Sequence, residues 1–210
     1  MLSQLDRTLL LALNSAGNTS FDHVVLVLTN GLTWIPLYFA LLYMVVRNNR
    51  EPHRLLHVIL AIGICMLISN GLDNGIVKPM VGRLRPSMEP SLRGIVNLVS
   101  GYTASGYSFF SAHACNTFTV AVFFSLLTKN RFISISLIGW ALFNCWTRLY
   151  LGVHYPSDIL VGIIMGILIP IGVYRFYLSP RLSYDNYRPI DTYIVASIFP
   201  LTILVVVLAF

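Results

Sequence analysis

Charged residues are what this sequence has least of. They make up 10% of its 210 positions, against about 25% in a soluble domain. So few cannot cover a water-facing surface, which excludes an ordinary soluble fold. Hydrophobic residues make up 56% and mean hydropathy is +0.74, so the chain reads as an integral membrane protein. One domain over residues 1–210 is expected, because helices in lipid must pack together to bury their few polar groups.

Cysteine is also scarce. Cys65, Cys115 and Cys145 all lie in apolar segments, their number is odd, and no CxxC occurs. They read as small buried hydrophobes. The N-terminus lacks a basic stretch followed by an apolar core and a small-residue cleavage site, so no signal peptide is expected. No internal repeat or low-complexity tract is present. Acidic residues number 8 against 14 Lys and Arg, for a net charge of +6. In a soluble chain that excess would suggest nucleic acid. In a membrane protein it reads as loop cations on one side of the bilayer, or as a site for an anion, and no nucleic-acid partner is expected.

What the sequence does have is a series of long apolar runs. Residues 1–20 predict an amphipathic interfacial helix, with Leu2, Leu5, Leu9 and Leu13 on one face and Gln4, Asp6 and Arg7 elsewhere. Asn18, Thr19 and Asp22 mark a turn and helix start. Six spans follow at about 24–46, 55–77, 109–127, 132–151, 156–178 and 190–210, each near the roughly 20 residues needed to cross hydrocarbon. Pro36 is expected to kink the first. The expected fold class is all-α, a six-helix transmembrane bundle. Trp34, Tyr102, Tyr107 and Tyr155 read as interface aromatics.

Loops 47–54, 129–131 and 175–188 carry Arg47, Arg50, Arg54, Lys129, Arg131, Arg175, Arg181 and Arg188, which places that side in the cytoplasm. The polar stretch 78–108 then lies outside. A loop this long is more often functional than idle. Three clusters meet at that outer face: KPMVGRLRP at 78–86, FFSAHA at 109–114, and TRLYLGVHYPSD at 147–158. Arginine forks match phosphate oxygens and lysine adds a point charge. A histidine can attack phosphorus if its other nitrogen is held in one tautomer, and Asp158 lies four residues after His154. A second histidine can protonate the leaving oxygen. Two histidines and an aspartate could also hold zinc, but Lys78, Arg85 and Arg148 would repel a dication and suit an anion.

The patterns K-x6-R-P at Lys78–Pro86, S-A-H at Ser111–His113 and R-x5-H-x3-D at Arg148–Asp158 resemble the three signatures of the type 2 phosphatidic acid phosphatase family. The order, separations and six-span layout are similar from about residue 24 on. The resemblance implies that His154 is the nucleophile, forming a phosphohistidine. Asp158 orients it, and His113 protonates the leaving group and then activates water. Lys78, Arg85 and Arg148 clamp the phosphate, with Ser111 and the amides near Ala112 and His113 adding donors. It implies no cofactor and no metal. The family usually has glycine where this chain has Ala112, which adds a methyl where an amide is to approach phosphate. Thr147 stands where serine is usual, and keeps the hydroxyl. Arg83 reads as a loop or headgroup contact.

The expected activity is metal-independent removal of phosphate from a membrane lipid, with undecaprenyl diphosphate as first choice. Phosphatidylglycerol phosphate, the phosphates of lipid A, and phosphotransfer to another lipid are alternatives. The expected location is a bacterial inner membrane with the site facing the periplasm. A rival of another class is a non-enzymatic anion or lipid transporter, since intramembrane charges also mark permeation paths. The sequence carries no signal of oligomeric state.

Overall fold

Backbone that enters hydrocarbon has only itself to hydrogen-bond with, and this chain answers with helices throughout. The computed structural model describes residues 4–14, 19–182 and 187–210, and these contain helices and no strand. The helices are α1 (Gln4–Leu13), α2 (Thr19–Thr29), α3 (Ile35–Asn48), α4 (Pro52–Asn70), the short α5 (Lys78–Val81), α6 (Ala112–Thr128), α7 (Arg131–Tyr150), α8 (Pro156–Val173) and α9 (Pro189–Ala209). Leu2 and Asn18 of the expected N-terminal pattern lie outside the described residues.

Two expected spans differ from what is found. The first is not one kinked helix but two, Ser20–Thr29 and Gly31–Asn48, bent by 66° at Asn30. The Asn30 side chain accepts from the Leu32 amide and starts a new 3-10 turn at Gly31–Trp34. Pro36 sits in the first turn of α3, where it needs no partner for a missing N–H. The third expected span is a helix of 17 residues beginning at Ala112. Four helical stretches are long and apolar enough to cross a membrane, or five counting the bent pair, so length and apolarity alone do not give six. The shortfall at α6 has a physical reason. It packs against α4, α7 and α8, and buries Ala114, Cys115, Phe118, Ala121, Phe123 and Phe124. It falls short in length and not in apolarity, because the Ser111 cap starts it only at Ala112.

The α6–α8 contact sets the geometry of one end of the bundle. Gly162 and Gly166 of α8 face α6 at the spacing that lets two helix backbones approach closely. A Cβ at Gly162 would stand 2.7 Å from the Ser111 carbonyl oxygen, and one at Gly166 would stand 2.6 Å from the Cys115 carbonyl oxygen. This brings the start of α8 against the start of α6. The end of α7 and the region around α5 share that end because neighbouring helices run antiparallel.

The connection between α5 and α6 folds over the same end through 3-10 turns at Pro86–Met88, Pro90–Leu92 and Val99–Gly101. Leu92 and Val96 pack there with Leu10 of α1 and with Tyr155. Trp34 and Tyr155 are therefore core residues, 1% and 0% exposed, rather than interface aromatics. Asn14 pins α1 in place, donating to the Tyr150 and Asn97 carbonyls at 2.8 and 3.1 Å and accepting from the Asn97 amide at 2.7 Å. Gly152 fits beneath at φ +64°, where a Cβ would stand 2.4 Å from Val96 Cγ1. Leu5, Leu9 and Leu13 of α1 point away from the protein and are exposed, while Asp6 and Leu10 point in.

Gly166→Val tests the α6–α8 contact. Overpacking costs about 1–3 kcal/mol, so the detergent-solubilised variant should melt several degrees below the parent and lose activity. Gly63→Ala, where nothing lies within 4 Å of the added methyl, should melt with the parent. An unchanged Tm for Gly166→Val would show that the helices are not in backbone contact.

Candidate active site

Asp158 sits at the third position of α8, fully buried. Its Oδ2 accepts from the Tyr155 amide at 2.9 Å and so caps its own helix. The same oxygen accepts from the Ser108 hydroxyl. Its Oδ1 accepts from Arg83 Nη1 at 2.7 Å. The cap also fixes the turn that precedes α8, and with it His154, which is 2% exposed. His154 Nδ1 faces Asp158 Oδ2 at 3.5 Å and Ser108 Oγ at 3.4 Å. Its Nε2 lies 3.1 Å from Arg85 Nη1. Because a guanidinium can only donate, Nε2 is the acceptor and the proton resides on Nδ1, toward the carboxylate.

Arg85 is held by the loop it belongs to. Its Nε and Nη2 donate to the Ser105 carbonyl at 3.2 and 2.9 Å, Nε also to Gly106 at 3.1 Å, and Nη1 to Val153 at 3.0 Å. Arg148, 2% exposed near the end of α7, donates from Nη1 to Thr29 Oγ1 at 2.9 Å and to the Tyr102 hydroxyl at 3.3 Å. Its Nε is buried without a hydrogen-bond partner. Among the described residues no carboxylate forms an ion pair with Arg85 or Arg148. Burial and the neighbouring Arg148 cation both push the Arg85 pKa down, as expected for two guanidiniums confined together. An anion placed between them would relieve that repulsion and take up their remaining donors.

Lys78 is differently committed. Its Nζ donates to Asp73 Oδ2 at 2.6 Å and to Asn74 Oδ1 at 3.0 Å, which leaves one of its three protons. The pairing depends on a π-helical turn at Gly71–Val77, whose wider winding sets residues five apart over one another. His113 is exposed at the second position of α6. Arg148, His154, Arg85 and Lys78 all act on it electrostatically. Ser111 caps α6, accepting from the Ala114 amide at 3.4 Å, and its own amide donates to the Asp158 carbonyl at 3.1 Å. Its side chain is therefore enclosed as a cap. Ala112 lies inside the helix and is not among the residues with positive φ, so alanine fits there without backbone strain. The amides of Ala112 and His113 belong to the first turn and have no acceptor within the helix.

The structure thus brings Lys78, Arg85, Ser111, Ala112, His113, Arg148, His154 and Asp158 to one end of the bundle. It also adds residues that the sequence reading left outside the site. Arg83 is no headgroup contact but a ligand of Asp158. Ser108 touches both members of the His154–Asp158 pair. Asp73 holds Lys78, and Thr29 with Tyr102 holds Arg148. Ser108 had no sequence signal, being one of several serines in a polar loop.

Residues 54–181 match the sequence model of the PAP2 superfamily. A lipid A 4'-phosphatase of Bacteroides thetaiotaomicron is 36% identical over 194 residues, covering 90% of this chain and 84% of that protein. A lipid A 4'-phosphatase of Porphyromonas gingivalis is 29% identical over 178 residues, covering 85% and 75%. Among solved structures, Aquifex aeolicus LpxE aligns with TM-score 0.60 and 25% identity over 83% of this chain and 97% of that one. A phosphatidylglycerolphosphate phosphatase of Bacillus subtilis shares the fold, with TM-score 0.58 and 20% identity over 87% and 88%.

Burial, with the Arg85 and Arg148 cations, pulls the His154 pKa from its ordinary 6.5 down to about 4, against the opposing pull of Asp158. The ring should be neutral at pH 7 and gain its proton only as pH falls through about 4. Histidine-selective 15N NMR of the protein in detergent checks this, with His154→Asn assigning the signal. Protonation near 6.5 would show that the ring is solvated.

Proposed function

The chain belongs to the PAP2 superfamily and is an integral membrane lipid phosphatase, and from that premise we propose that it removes the 4'-phosphate of lipid A. Both curated relatives above carry that activity in their names, and the nearer covers 90% of this chain. This replaces undecaprenyl diphosphate, the first choice on sequence, as the preferred substrate. The observation that carries the site reading is the pair of buried guanidiniums of Arg85 and Arg148, neither in an ion pair among the described residues, beside a buried histidine backed by a carboxylate. Uncompensated buried charge is costly, and a phosphate would compensate it.

In the proposed reaction His154 Nε2 attacks phosphorus in line. The N–P bond forms, the P–O bond to the lipid breaks, and His113 gives the leaving oxygen its proton. Arg85 turns its Nη1 donor from the imidazole to a phosphate oxygen, which frees the attacking lone pair. Arg148, the remaining proton of Lys78, and the Ala112 and His113 amides spread the charge on the other oxygens. Water then gives a proton to His113 as its oxygen bonds to phosphorus, and the N–P bond breaks to release inorganic phosphate. No step calls for a metal or cofactor.

The single domain is proposed to cross the bilayer six times, with the bent α2–α3 pair as one crossing and α4, α6, α7, α8 and α9 as the others. Helix α1 would lie along the interface with Leu5, Leu9 and Leu13 toward lipid. The cation-rich loops support a cytoplasmic location for the opposite end, which would put the site at the periplasmic face of the inner membrane.

Phosphate release by detergent-solubilised protein should be fastest with lipid A, slower with undecaprenyl diphosphate and phosphatidylglycerol phosphate, and unchanged by chelator. His154→Asn should lower it by about 10³-fold or more. Preference for either other lipid would overturn the substrate assignment, and retained turnover in His154→Asn would overturn the nucleophile.

A further inference from the structure

We propose that Arg83, held by Asp6 of the N-terminal helix, is a positioning residue for the catalytic carboxylate Asp158. The inference rests on the reading of His154 and Asp158 given above. It begins from a guanidinium whose donors are directed away from the proposed phosphate cradle. Arg83 Nη1 donates to Asp158 Oδ1 and to Ser157 Oγ, both at 2.7 Å, and Nη2 donates to Asp6 Oδ2 at 2.7 Å. Its carbon Cζ lies 3.9 Å from the centre of the Tyr155 ring. Two carboxylates, a hydroxyl and an aromatic face therefore fix both the plane and the rotation of one side chain.

Both oxygens of Asp158 depend on this residue. Oδ1 depends on its side chain. Oδ2 depends on its main chain, because the Arg83 carbonyl accepts from the Ser108 amide at 2.8 Å, and Ser108 delivers its hydroxyl to Oδ2. With Oδ1 held by Arg83, and Oδ2 by Ser108 and the Tyr155 amide, Asp158 is fixed about its last bond and Oδ2 stays directed at His154 Nδ1. If Oδ1 were released, a fully buried carboxylate would lose its cation and turn to seek another donor. The imidazole would then lose the acceptor that faces its Nδ1 proton and steadies the ring.

Asp6 completes the chain of contacts from outside the bundle. Its Oδ1 accepts from the Ser157 amide at 2.9 Å and its Oδ2 from the Ser157 hydroxyl at 2.6 Å. Burial raises the Asp6 pKa, but the bonds from Ser157 and Arg83 outweigh it and hold the carboxyl below its ordinary 3.8, so it is ionised at neutral pH. Asp6 thus clasps the first turn of α8 and the free half of the Arg83 fork together. It links α1 to the proposed site through Arg83 and through Ser157.

The test compares steady-state kinetics on lipid A for Arg83→Met, Arg83→Lys, Asp6→Asn, the double variant Asp6→Asn with Arg83→Met, and His154→Asn. Arg83→Met should lower kcat by about 10- to 100-fold, the range seen when an outer-layer partner of an active group is removed, and leave KM within about twofold. Arg83→Lys should recover part of the loss. Asp6→Asn, close in shape, should lower kcat by about tenfold, and is the decisive variant if Arg83→Met does not purify. In the double variant Asp6→Asn should add less than twofold, because the amide keeps an acceptor for Ser157 and the remaining effect passes through Arg83. Parental kcat in Arg83→Met or Asp6→Asn, a loss carried by KM, or fully multiplied losses in the double variant would overturn the relay while leaving His154 in place. Turnover retained in His154→Asn would instead remove the site reading on which the relay stands.

Discussion

The hydrogen bond from Arg85 to His154 is the contact on which the rest of the site depends. It joins the loop after α5 to the turn before α8, two segments 69 residues apart. A guanidinium this buried must satisfy its donors, and it does so with three loop carbonyls and one imidazole. The loop is therefore folded around the side chain, not merely decorated by it. The same contact sets the tautomer of His154, because a donor on Nε2 leaves Nδ1 to carry the proton. The position of the imidazole and the choice of its protonated nitrogen follow from one bond.

Around this contact the charges are sorted. Lys78 is balanced by Asp73, and Arg83 by Asp158 and Asp6. Arg85 and Arg148 are left with neutral partners. The site thus keeps its fixed ion pairs at the edge and its unbalanced cations in the middle. That arrangement suits a ligand whose charge is spread over several oxygens better than one with a single charged atom.

Much of this was legible in the sequence, and the limits have physical causes. His154 and Asp158 could be paired because four residues in a helix start bring side chains together. Arg85 and Arg148 could be placed because charge in so apolar a chain is conspicuous. Arg83 was misjudged because spacing says nothing about which way a loop side chain turns, and its partners lie 75 and 77 residues away. The bend at Asn30 was missed because an apolar run hides a helix cap, and proline drew attention to Pro36 instead. The shortness of α6 was missed because hydropathy does not register the Ser111 cap, which starts the helix after Phe109 and Phe110. Gly162 and Gly166 passed unnoticed since glycine is common in such helices.

Those two glycines have a wider consequence. Where main chains touch, neither helix can tilt or slide without collision, so the halves of the site carried by α6 and α8 form one stiff wall. The start of α6, with Ser111 and His113, and the start of α8, with Asp158, are thereby kept at one fixed separation.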